Sequence, residues 1–168
     1  VLRGAGGPEE NDVVRRGTVM IRIKGVDAQN VRDVCQLTTN PNGIGTTMEA
    51  HICCNALSIA ESKYDPEMHP NAIYSNHVLI GFFMYRRPED HAGTATLCRF
   101  MIDYRFQHKG FGKKALEYVL KGLKIQGVKK VILMIHGTNT IAQKLCLSCG
   151  FQFTGKNNLD EWAYEAEL

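Results

Sequence analysis

In the run Gln107-His108-Lys109-Gly110-Phe111-Gly112, two glycines stand where a strand-like stretch, Thr96 to Asp103, gives way to a helix-like one, Lys113 to Leu120. Glycine at a strand-to-helix turn lets the backbone approach a bulky anion closely. The first N–H groups of the helix have no acceptor within it, and the positive end of the helix dipole lies at the same place. The chemistry this spacing suits is a cradle for a diphosphate. Carboxylates gather elsewhere. Between Asn42 and Leu79, Glu49, Glu61, Asp65 and Glu67 face one base, Lys63, which suits a cationic ligand as well as an ordinary surface.

Common nucleotide motifs fit the loop poorly. A Walker loop needs Ser or Thr after Gly-Lys to hold Mg²⁺, and Gly112-Lys113 is followed by Lys114. A dinucleotide fingerprint would put its first glycine at Lys109. A nucleotide-binding module therefore has only the glycine loop in its favour.

A second pattern follows at Asn139-Thr-Ile-Ala142-Gln-Lys-Leu145-Cys146-Leu-Ser-Cys-Gly150-Phe151. Asn139 suits a helix N-cap, Ala142, Leu145 and Cys149 share one helical face, and Gly150 suits the helix end. Gln-x-x-Gly-x-Gly followed by Asn-x-x-Ala-x-x-Leu-Tyr-x-x-x-Gly-Phe resembles the GNAT superfamily of N-acetyltransferases, with Cys146 in place of the tyrosine. Ile80 to Tyr85, Arg99 to Asp103, Gly150 to Gly155 and the upstream Asn55 to Glu61 resemble its spermine/spermidine acetyltransferase branch. The resemblance runs from about Thr18 to the C-terminus.

The resemblance implies acetyl-CoA as cofactor and an N-acetyltransferase that moves the acetyl group to a primary amine by direct attack. A polyamine is the favoured acceptor, with protein lysine or an N-terminus as alternatives. It also implies that pantetheine lies along the strand at Phe100, Met101 and Ile102, with the Met101 N–H polarising the thioester oxygen. His108, Lys109, Gly110, Phe111, Gly112 and Lys113 would receive the diphosphate, mainly through backbone N–H, and Gln107, Asn139, Ala142 and Lys144 would also contact the cofactor. Cys146 stands where relatives place the proton donor for the leaving thiolate. A thiol with a pKa of about 8.5 suits that role, and packing with water as donor suits the position equally. The strand acid of some polyamine enzymes is missing at Ala95 to Cys98, so Glu61 is the substrate-side candidate, with Glu49 and His51 behind it. The missing tyrosine and strand acid keep a non-catalytic acyl-CoA sensor as a further reading.

These groups need a scaffold, and the chain can supply one. Its 168 residues with 44% apolar content suit one soluble domain. A net charge of +3 is too small to argue for nucleic acid. No signal peptide and no run of about 20 apolar residues is visible, so a reduced, cytoplasmic protein off the membrane is expected. Of the six cysteines, Cys146-x-x-Cys149 lies inside an expected helix and neither it nor the adjacent Cys53-Cys54 has a ligand loop around it, so no metal site is expected. A homodimer stays open. Residues 1–17, rich in glycine and arginine, read as a flexible tail, leaving 18–168 as the acetyltransferase domain.

Periodicity predicts a strand over 18–24, a helix from Asp27 to about Leu37, and a helix from about Cys54 to Tyr64. A hairpin turns at Asn76-His77, and a strand ends at Asp103. Then come the cradle helix to about Gln126, strand 129–135, helix 139–149, and strands 151–156 and 161–167. The order makes a mixed α/β (α+β) domain. The resemblance implies a mostly antiparallel, twisted sheet, splayed at the cofactor site, with helices on both faces.

Overall fold

The computed structural model describes residues 19–42, 53–156 and 160–168. The expected tail over 1–17, together with Glu49 and His51, lies outside these residues. Seven strands form one sheet in the order β1-β2-β3-β4-β5-β7-β6. They are β1 (Ile21–Gly25), β2 (Met68–Ser75), β3 (Val78–Arg86), β4 (Thr94–Ile102), β5 (Lys130–His136), β6 (Gln152–Lys156) and β7 (Glu161–Glu167). Four helices complete the domain: α1 (Val31–Gln36), α2 (Asn55–Glu61), α3 (Phe111–Ile125) and α4 (Thr140–Ser148). Every strand pair is antiparallel except β4 with β5, which α3 connects as a crossover.

Helices cover the two faces unequally. Buried Phe111, Ala115, Leu116, Val119, Leu120 and Leu123 of α3 recur at helical spacing. They pack with Leu97, Ile102, Val131, Leu133, Ile135 and Tyr164 from the sheet. On the other face, Val34 and Leu37 around α1 and Ile59 of α2 meet Ala72, Phe82, Met84 and Met101. Strand β3 is therefore buried on both faces, which is why Ile80 to Tyr85 is an unbroken apolar run without alternation.

Helix α1 is shorter than expected. Asp27 does not cap it; its carboxylate accepts from the N–H groups of Gln29 (2.9 Å) and Asn30 (3.2 Å), closing a local turn before the helix begins. Helix α2 stops at Glu61, ahead of Asp65-Pro66.

A bulge decides the geometry of β4. Met84 faces Arg99 and Tyr85 faces Leu97, so Cys98 is the extra residue. Ala95 and Leu97 before it, and Phe100 and Ile102 after it, consequently all face the α3 side, although strict alternation would separate them. Close approach of β3 to β4 beyond the bulge needs Gly81. A Cβ there would lie 2.5 Å from the Met101 carbonyl oxygen and 3.0 Å from Ile102 Cδ1. Gly81→Ala should cost about 1–3 kcal/mol and lower Tm by about 3–10 °C in a thermal melt.

Candidate functional site

The sheet parts between β4 and β5. The two strands pair only where Thr94 to Thr96 lie beside Lys130 to Ile132. Beyond this, β4 remains paired to β3 through Ile102, and β5 to β7 through His136, while their facing edges have no ladder between them. The groups that point into this split follow from one hydrogen bond. Asp103 donates its N–H to Ile80 O at 2.9 Å. Alternation along an antiparallel ladder then turns the Met101 N–H and C=O towards β3 and those of Phe100 and Ile102 into the split. The Met101 oxygen beside Gly81 agrees. The role expected of the Met101 N–H is thus corrected: that amide belongs to the β3 ladder, and its side chain sits in the α1–α2 core.

At the mouth of the split the chain turns into α3. Gln107 donates from Nε2 to Ile102 O at 2.8 Å, tying the turn to the end of β4. Lys109 folds back, its Nζ donating to Arg105 O at 2.9 Å. His108 (φ 59°) and Gly110 (φ 79°) both adopt left-handed backbone, which brings successive N–H groups round to one side. Phe111 is buried edge-on against Phe106, 6.3 Å between ring centres, and so pins the helix start to the core. Its side chain is structural and only its N–H faces the mouth. Lys114 is the first α3 residue whose N–H finds an intrahelical acceptor, Gly110 O at 3.4 Å. A Cβ on Gly110 would meet no protein atom within 4 Å, so the space before the helix is open. On Gly112 it would touch Leu145 of α4 at 3.7 Å and Ile102 at 3.9 Å, placing that helix against the cradle. A coenzyme diphosphate fits these unpaired amides, and an extended acyl arm fits the strand edge of Phe100 and Ile102.

Helix α4 is bounded as its sequence implied. Asn139 Oδ1 accepts from Ala142 N at 3.1 Å, so this carboxamide oxygen is a cap. At the other end Phe151 N reaches Cys146 O at 3.2 Å and Gly150 N reaches Leu147 O at 3.3 Å, with Gly150 at φ 92°. This is a Schellman ending, in which the buried Phe151 and Cys146 supply the accompanying apolar contact. Lys144 is exposed on the same helix.

Burial pushes the Cys146 thiol up to about 12, from 9.0, with neighbouring Cys149 adding to the shift. A donor this weak is poorly matched to a leaving thiolate, whose own pKa is about 8.5 on the model-thiol scale. The sign of the stability linkage follows. Below pH 9 both folded and unfolded chains hold the proton, and the stabilising contribution is complete. Above it the unfolded chain ionises first, and the contribution is lost as pH approaches 12. Cys146→Ala should therefore flatten the fall of the urea midpoint above pH 9, and should leave turnover within about threefold of wild type instead of the roughly hundredfold loss expected of a proton donor.

Among the described residues, the acidic candidates Glu61, Asp65 and Glu67 are paired. Glu61 Oε2 accepts from Arg99 Nη2 at 3.3 Å on the α2 side of the split. Arg86 holds both Asp65 (3.2 Å) and Glu67 (2.6 Å). Among the described residues, two arginines from β3 and β4 that a local charge count does not reach thus offset two of the window's three acids. Arg99 and Asp103 escaped the sequence reading. Asp103, 1% exposed, accepts from Thr38 N (3.1 Å), Arg105 N (3.1 Å) and Arg105 Nε (2.7 Å), fastening the segment after α1 to the end of β4. The signal for Arg99 was its place as the lone charge inside Leu97-Cys98-Arg99-Phe100-Met101-Ile102, since a charge in an apolar strand must have partners. Among the described residues, no helix is long and apolar enough to cross a membrane.

Known proteins resemble this chain in sequence and in fold. The model of the acetyltransferase (GNAT) family matches residues 34–151. A spermine/spermidine N(1)-acetyltransferase of Bacillus subtilis is 31% identical over 142 residues, covering 81% of this chain and 90% of the relative. A ribosomal protein bS18-alanine N-acetyltransferase of Haemophilus ducreyi is 40% identical over 65 residues, 38% of this chain and 45% of the relative. The fold matches the crystal structure of spermidine N-acetyltransferase from Vibrio cholerae in complex with CoA and spermine, at a TM-score of 0.67 and 16% identity, over 88% of this chain and 95% of that one. With a family match that spans the split sheet and the glycine cradle, the chain belongs to the GNAT family of acetyltransferases.

Proposed function

We propose that this acetyl-CoA-dependent acetyltransferase acts on a primary amine of a small polyamine-type acceptor, by direct attack in a ternary complex. The observation that carries the reading is the split between β4 and β5, which exposes the Phe100 and Ile102 amides beside the α3 cradle. The N–H groups from His108 to Lys113 bind the diphosphate, and Ile102 aligns the pantetheine arm. The Phe100 N–H donates to the thioester oxygen, which gains charge as the amine attacks. Holding both reactants in one cleft supplies several kcal/mol by orientation alone. Glu61, on the α2 side, receives the acceptor's proton directly or through water. Water also protonates the departing thiolate, because Cys146 is buried and too weak an acid.

The polyamine acceptor is supported by the Bacillus subtilis relative. A second reading, acetylation of a peptide N-terminus, is favoured by the pairing of Glu61, Asp65 and Glu67 with two arginines, which reduces the negative charge offered to a polycation. The Haemophilus ducreyi relative points the same way. Thiol release from acetyl-CoA, measured with spermidine, spermine and an N-terminal alanine peptide, separates the two. Turnover with the polyamines, and acetylated product by mass, is the expected result. Turnover with the peptide alone would replace the acceptor, and CoA binding without turnover on any amine would leave a sensor.

A further inference from the structure

We propose that Arg99 is a positioning residue of the acetyl transfer: by clamping the bulge at Cys98 to α2, it aims the Phe100 N–H into the split. The inference rests on reading that split as the thioester cleft. Four bonds fix the guanidinium. Nη1 donates to Cys98 O at 2.9 Å, Nε to Ser58 Oγ and Cys53 Sγ at 3.2 Å each, and Nη2 to Glu61 Oε2 at 3.3 Å. Ser58 is fully buried and Cys53 nearly so, which makes this a built site and not a surface pair.

Its place in the strand gives the clamp a consequence. Cys98 has no opposite number in β3, and β3 reaches it only through the Arg86 N–H, which donates to its thiol. The pairing with β5 has already ended at Thr96. Arg99 is the first residue past the bulge, where the ladder resumes opposite Met84, and its side chain adds a restraint from the α2 side by holding the Cys98 carbonyl. Phe100 follows directly, so a change in the bulge rotates its amide. A planar, always-charged fork can reach Ser58, Glu61 and the Cys98 carbonyl together, and a lysine ammonium cannot.

The test reads the amide through the thioester. Acetyl-CoA labelled with ¹³C at the carbonyl is titrated into wild type, Arg99→Gln, Arg99→Lys and Ser58→Ala, with acetyl-CoA Kd, Tm and turnover measured alongside. In wild type the bound carbonyl signal should move downfield from the free one. In Arg99→Gln it should return most of the way to the free position, with kcat down about a hundredfold and Kd within about threefold, because the cradle is untouched. Arg99→Lys should lie between them. Ser58→Ala removes one acceptor without stranding a charge, and should move the signal partway in a variant that keeps its fold even if Arg99→Gln does not. A carbonyl shift and kcat unchanged from wild type in Ser58→Ala and in whichever Arg99 variant folds would overturn the proposal. So would a wild-type carbonyl that does not move on binding. Absence of turnover with every amine, while the shift and its loss persist, would strike the acceptor reading and leave the role of Arg99 standing.

Discussion

Gly110→Val should weaken acetyl-CoA binding by at least about a hundredfold while the domain stays folded. Two effects contribute, and they separate. Gly110 sits at φ 79°, where an L side chain is strained by roughly 1–2 kcal/mol. A Cβ at this position meets no atom within 4 Å beyond the adjoining residues, so in the free enzyme a new side chain starts out into open space. The obstruction is felt only by a ligand that must bring its phosphates against the backbone. Gly110→Asn is the control, because asparagine tolerates the left-handed region. Its Tm should stay close to wild type while its affinity falls nearly as far as that of the valine variant. Calorimetric titration of acetyl-CoA checks both. Binding within about threefold of wild type in both variants would remove the diphosphate from this turn.

The turn and the helix ends around it were legible because their determinants are local. Gly110, Gly112, Asn139 and Gly150 act within one or two turns of chain, and each did what its residue type predicts: left-handed backbone, close contact, N-cap and helix end. The apolar stripe of α3 and the apolar run of β5 were equally local. What stayed hidden depended on partners distant in sequence. The bulge at Cys98 exists only relative to β3, and a single strand carries no mark of the extra residue. Strict alternation therefore could not tell Met101 from its neighbours. The pairing of Glu61 with Arg99 spans 38 positions, so a window that counted acids missed the base that neutralises one of them. The same distance concealed the clamp on Asp103, whose carboxylate reaches back to Thr38.

The bulge leads to the sharpest contrast available in this chain. Replacing the backbone amide at residue 100 by an ester, through incorporation of phenyllactic acid, deletes one N–H and keeps the side chain. If that N–H donates to the thioester oxygen, kcat should fall about 10²–10³-fold, as for loss of one oxyanion donor. Stability should change little, since the Phe100 N–H is not part of the β3 ladder. The equivalent ester at residue 101 should behave in the opposite way. It removes a ladder bond to β3, and the loss of one such bond is worth about 0.5–1.5 kcal/mol, more where its partner is left buried and unpaired. Turnover per folded molecule should then stay within a few fold of wild type. Single-turnover rates and urea midpoints on the two esters decide between the strand faces. Equal kinetic losses at both positions would mean that the amide at residue 100 has no special place at the reacting carbonyl, and the thioester would have to lie along another edge of the split.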